Sequence, residues 1–221
     1  QAITNNNIES ARSLISKNSK THSNYLLSQL EQGRIADLAN NPDNAQVHFE
    51  TVYQQMQSKR QAAKIQVSAG LEQSNALLTN DSAISYTPSA YEMSMLHSYK
   101  ALNYVYKHDI ESALVEIRRA NKVQVDELLN NQSEFDNGFQ NAYTFYLSGL
   151  LYETAKQGDD AYIDYKKALE IQPNNPYLQH DVLRLAKQQG FADDYNQFKR
   201  QFGEVNTLEK NQGEVVILFE Q

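Results

Sequence analysis

GLLYETAKQGDDAYIDYKKALEIQP, residues Gly149 to Pro173, sets bulk and gaps at fixed intervals. Counted from Gly149, Tyr152 stands at offset 3, Ala161 at 12, Tyr165 at 16, Ala168 at 19 and Pro173 at 24. The intervals describe two antiparallel helices. Gly149 on the first and Ala161 on the second lack bulk, so their axes approach closely. Tyr152 and Tyr165 fill the space beside that contact, Ala168 admits the next helix, and Pro173 stops the second one. Such a hairpin buries its apolar face only by stacking on others, which makes a scaffold and leaves its ligand unstated.

The pattern resembles the tetratricopeptide (TPR) repeat, a helix pair of about 34 residues. The same ruler fits twice upstream. From Ala101 it places Tyr104, Ala113, Ile117 and Ala120, without the proline. From Gly33 it places Ala36, Ala45 and Phe49, without the closing alanine and proline. Midway between these, Val67 is followed by Thr79 and Ala83 where a small and a large residue belong, so that stretch reads as helix outside the repeat. The interval from Ala101 to Gly149 is longer than a repeat, with the excess in Asn121 to Gln140; this predicts an over-long second helix and a loop at Asp136-Asn137-Gly138. The fold class is therefore all-α, a TPR-like α-solenoid of antiparallel hairpins.

Composition agrees. Only 8 Gly and 4 Pro among 221 residues favour helix. Mean hydropathy of -0.66, with no apolar run near the length a bilayer demands, argues against a membrane span. A net charge of -7 and pI of 5.2 argue against nucleic acid, whose phosphates need a basic stripe. Absence of cysteine removes disulfides, thiolate catalysis and cysteine-based zinc. The chain starts at Gln1 with a polar lead-in, as a processed N-terminus or a sequence cut after a targeting segment would.

Apolar spacing predicts helices over 7–17, 24–40, 44–57, 60–78, 89–106, 109–130, 138–157, 159–171, 176–189 and 192–202. Asp109 and Asp159 read as N-caps, and the polar stretch 79–89 with Pro88 as a hinge. Three regions are expected: 1–80 with N-terminal helices and a degenerate repeat, 81–205 with the better repeats and a capping hairpin, and 206–221 as linker and tail. Val215 to Phe219 reads as a short strand buried on both faces, pairing with another copy or leading into a further domain.

The string Tyr91-Glu92, Leu96, Tyr99, Leu102-Asn103-Tyr104, Ala113, Val115-Glu116 and Arg118-Arg119 resembles a family of proteobacterial envelope lipoproteins with TPR-like helices. Gly149, Tyr152-Glu153 and Gly213-Glu214-Val215-Val216 extend the resemblance over 85 to 221. It implies a periplasmic protein anchored to the outer membrane by a lipid upstream of Gln1. The lipobox cysteine lies outside this chain, so the anchor rests on the resemblance alone.

Residues for chemistry are scarce. The five histidines include no pair three or four apart, there is no Gly-x-Ser-x-Gly, and no glycine-rich phosphate loop. No catalytic residue, cofactor or metal is expected. Glu92 and Glu116, with Arg118 and Arg119, read as an acid pair, as a peptide-carboxylate receptor, or as ion pairing between the two helices of a repeat, and the last is favoured. In TPR arrays the first helices line a concave groove. The register places Leu27, Leu30 and Arg34 there, then Met95, Ser98, Leu102 and Tyr106, then Tyr143, Tyr146 and Leu150. Each tyrosine alone is better explained by packing; as a set they suggest an apolar, tyrosine-rich groove for a helix or extended peptide of another envelope protein. TPRs that clamp chaperone C-termini use Lys and Asn where this chain has Leu30, Ser98 and Tyr146, then Arg34, Leu102 and Leu150, which disfavours that function. The rival reading is the helical regulatory half of a larger envelope enzyme or activator whose chemistry lies beyond Gln221.

Overall fold

The computed structural model describes residues 15, 20, 22–68, 85–130, 140–204 and 215–217. Among them are eight helices: α1 (Tyr25–Leu38), α2 (Pro42–Ser68), α3 (Ala90–Tyr106), α4 (Ile110–Asn130), α5 (Ala142–Thr154), α6 (Gly158–Ile171), α7 (Pro176–Gln188) and α8 (Ala192–Phe202). They pack as four antiparallel hairpins in two compact units, one ending at Gln140 and the other starting at Asn141. This division differs from the one read at 80 and 205. Hairpins α1–α2 and α3–α4 share a core of Phe49, Val52 and Met56 with Met93, Leu96 and Val123.

Small residues bring each pair of helices together. A Cβ on Gly33 would lie 2.5 Å from the Phe49 ring, and one on Gly149 would lie 2.8 Å from Tyr165 Cζ and nearer still to Cδ1 and Cε1. Ala101 and Ile117, the corresponding pair, are both completely buried. So are Ala45, Ala113 and Ala161 at offset 12, and Ala120 and Ala168 at offset 19, where the first hairpin uses Val52. Pro173 sits in the exposed turn after α6, two residues past its end.

Each hairpin turns in the same way. Asn40, His108, Lys156 and Gly190 have φ of 55°, 58°, 60° and 76°. The next residue's N–H donates back to Ala36, Tyr104, Tyr152 or Ala186, at 2.9, 2.9, 2.8 and 2.9 Å. That is the Schellman closure, in which one left-handed residue lets the chain reverse and satisfies the last carbonyls. The fourth turn extends the ruler to Leu183, the equivalent of Gly149, and Ala186, the equivalent of Tyr152.

Several boundaries differ from the reading above. The helices expected over 44–57 and 60–78 are continuous through Ser68, because nothing between Gln57 and Arg60 breaks a helix. Asp109 does cap α4, accepting from Ser112 N–H at 3.0 Å. Asp159 does not cap α6; the helix starts at Gly158, and Asp159 stands in its first turn. Residues 215–217 of the tail form no strand, and among the described residues there is none to pair with. Val215 and Ile217 are 85% and 83% exposed rather than buried on both faces. Of the helix expected over 7–17 only Ile15 is described, as a bend; the rest of it, most of the hinge over 79–89, the loop at 136–138 and residues 206–214 and 218–221 lie outside the described residues.

Candidate functional site

The first helices α1 and α3 leave a pocket of about 310 Å³ between them. Leu27, Leu30, Glu31 and Arg34 fall on one stripe of α1, at the three-and-four spacing of a helix face. Tyr91, Met95 and Tyr99 form the facing stripe of α3, four residues apart. Phe49 from α2 is the floor; its ring is drawn up by the gap at Gly33 and stacks on Tyr99 at 6.0 Å.

The pocket is apolar inside and charged at its two ends. At one end Ser89 and Glu92 make a capping box: the Glu92 carboxylate accepts from Ser89 N–H at 2.8 Å while Ser89 Oγ accepts from Glu92 N–H. Tyr86 also donates its hydroxyl to Glu92. Burial pushes the Glu92 carboxyl up, but these hydrogen bonds outweigh it and hold the group below the usual range. Burial, then the bond to Glu92, then the negative fields of Glu92 and Glu31, push the Tyr86 phenol up. Two carboxylates therefore face one region around Tyr86. At the other end the Arg34 guanidinium lies 4.5 Å over the Tyr99 ring.

Of the expected groove residues, Leu27, Leu30, Arg34 and Met95 line this pocket. Leu102 is half-buried further along α3, and Tyr106 is 65% exposed at its end; neither lines it. Ser98, placed in the groove by register, is buried and donates to the Ser94 carbonyl at 3.0 Å. Tyr143, Tyr146 and Leu150 stand half-buried on α5 in the second unit, where the Tyr146 ring packs on Tyr165 at 5.5 Å. Phe49, Tyr91, Glu92 and Tyr99 were not read as groove residues, although the four-residue spacing of Tyr91, Met95 and Tyr99 marks a helix face.

Glu92 and Glu116 are not an acid pair. Glu116 is buried in the α3–α4 hairpin, bonded to His97 Nδ1 at 2.7 Å, Lys100 at 3.1 Å and Arg119 at 2.8 Å. Lys100 also reaches Glu50 at 2.6 Å, and the Tyr53 ring packs edge-on against His97. Burial raises the Glu116 carboxyl, yet His97 and Lys100 bring it below its ordinary value. Burial lowers the His97 imidazole more than Glu116 raises it, with Lys100 and Arg119 also lowering it. The next hairpin repeats the device: Ser148 and Lys167 bond Asp164 at 2.6 and 2.8 Å. Ser148 and Lys100 each precede the small residue of their hairpin by one position, and Asp164 and Glu116 both stand at offset 15. His97, Lys100 and Ser148 bridge the two helices of their hairpins, while Arg119 and Lys167 pair within α4 and α6. Among the described residues no group of His, Asp and Glu could hold a metal ion, and no helix is long and apolar enough to cross a membrane.

No protein-family model matches this chain, and no curated protein does. Solved structures do. A crystal structure of MamA superposes with a TM-score of 0.53 at 14% identity, over 91% of this chain and 90% of that one. BtubC (BKLC) from P. vanneervenii gives 0.53 at 14% identity, over 99% and 84%. TPR-like repeats of a kinesin light chain from Podosopora anserina give 0.52 at 14% identity, over 91% and 88%. At this identity the likeness establishes the fold: an all-α, TPR-like array of helical hairpins.

Proposed function

We propose that this protein is a non-catalytic interaction scaffold that docks a segment of another protein in the pocket between α1 and α3. The observation that carries the reading is an open apolar cavity of about 310 Å³, built on the first helices of neighbouring hairpins and floored by Phe49. A cavity of that size takes two or three side chains from a helix or extended peptide. The TPR-like neighbours are consistent with the reading, since their repeats likewise stack into surfaces against which a chain can lie. The resemblance over 85 to 221 supports placing the scaffold in the bacterial envelope, lipid-anchored upstream of Gln1.

A photo-crosslinking side chain at Leu27, inside the pocket, and another at Tyr177, 73% exposed on α7, test the reading. Crosslinks to a discrete protein from position 27 and not from 177 are expected in cell extract. Equal crosslinking from both, or none from 27, would remove the pocket from the function.

A further inference from the structure

The charge layout of the pocket specifies its occupant more narrowly than its shape does. Resting on the docking reading above, we infer that the segment it takes is an apolar one with a lysine or arginine beside its anchors. The anchors enter between Leu27, Leu30 and Met95 over Phe49. The basic residue meets the end where Glu31 and Glu92 face Tyr86.

The sign follows from which charges are already used. At the far end the Arg34 guanidinium is held over the Tyr99 ring, 4.5 Å from its centroid, which engages its charge within the protein. At the near end are two carboxylates. Glu92 is drawn inward by Tyr86 and Ser89, while Glu31 is exposed on α1 at the mouth of the pocket. Both carboxylates line the same pocket, so the charge they bring to that end is negative. The whole chain adds to it with a net charge of -7. An acidic segment would bring a further carboxylate into this field, whereas a basic one neutralises it and gains association rate from long-range attraction. The polarity is opposite to that of a clamp for a peptide carboxylate.

Selection from a random-peptide library displayed on phage tests this, with the intact chain as bait and its Met95→Glu variant as counter-bait. Leu27→Asp serves as a second counter-bait should Met95→Glu lose helicity. Enriched peptides are expected to carry aliphatic or Met anchors next to Lys or Arg. Against Glu31→Arg the charge preference should reverse, with a selected basic peptide losing roughly two- to fivefold in affinity, the scale of an exposed ion pair. Apolar peptides enriched with no charge bias, or with Asp or Glu, would overturn this inference and leave the docking reading standing. No enrichment over either counter-bait would overturn the docking reading itself.

Discussion

Gly149 and Tyr165 are in contact across the α5–α6 hairpin so closely that no side chain fits between them: a Cβ on Gly149 would lie 2.8 Å from Tyr165 Cζ and nearer still to the ring's Cδ1 and Cε1. The tyrosine is completely buried and donates its hydroxyl to Glu153 at 3.0 Å, and Glu153 in turn holds Arg184 of the next hairpin at 2.7 and 2.8 Å. One glycine therefore positions a ring that is tied, through Glu153, to the hairpin after it.

Gly149→Leu should displace the ring and cost about 1–3 kcal/mol or more, as overpacking does. Glu170→Ala on the exposed face of α6 should change little. Thermal melts of the two variants check this, and an unchanged midpoint for Gly149→Leu would mean the ring yields freely.

The repeated left-handed turn makes an opposite kind of prediction. Lys156 carries a Cβ at φ 60° and His108 at φ 58°, a conformation costly for side-chain residues and free for glycine. Lys156→Gly and His108→Gly should each stabilise by about 1 kcal/mol, less what glycine gains in unfolded-state entropy. Gly190→Ala, at φ 76° with open space around its Cβ, should destabilise by a similar amount through backbone strain alone. Urea midpoints that do not move in these directions would contradict the turn geometry.

Lys100 is 1% exposed and bonded to Glu116 and Glu50. Lys100→Met would leave Glu116 buried with less compensation, and a loss of about 3–5 kcal/mol is expected. Lys122 pairs with Asp126 in the open, and Lys122→Ala should cost no more than about 1 kcal/mol. Equal effects would show that water reaches the Lys100 site.

His97 makes the stability of the first unit pH-dependent. Its folded pKa lies below the usual value of about 6.5, so the unfolded chain binds more protons just below that pH. Stability is then fully present above pH 6.5 and falls as pH drops towards the folded pKa. Half-buried His48, lowered by burial, acts with the same sign. The lowered carboxyls of Glu50, Glu92 and Glu116 lose their contribution only at more acid pH. Urea titrations between pH 7.5 and 5.5 should slope downward with acid, and less steeply in His97→Gln. A slope of the other sign would mean that the Glu116 carboxylate outweighs burial at the imidazole.

The fold was legible because its constraints are local. Offsets 12, 16 and 19 name the residues that touch across a hairpin, and they hold wherever two helices of this length pack. The turns were harder to read: four share one conformation, and Gly190 and Asn40 are residue types that favour it, while His108 and Lys156 adopt it because the hairpin imposes it. Glu92 shows a different failure. Ser89-x-x-Glu92 is a capping signature, yet pairing Glu92 with Glu116 by charge hid it. The pocket could be read only in part, since Leu27, Leu30, Arg34 and Met95 follow from helix register. Which first helices adjoin, and that Phe49 serves both core and floor, are tertiary facts.

The chain's three methionines permit the most direct test. Met56 and Met93 are buried in the shared core, and Met95 lines the pocket. With methyl-labelled methionine, titration of a selected apolar–basic peptide should move the Met95 methyl resonance and leave Met56 and Met93 nearly in place. Saturated binding with an unmoved Met95 resonance would contradict docking between α1 and α3.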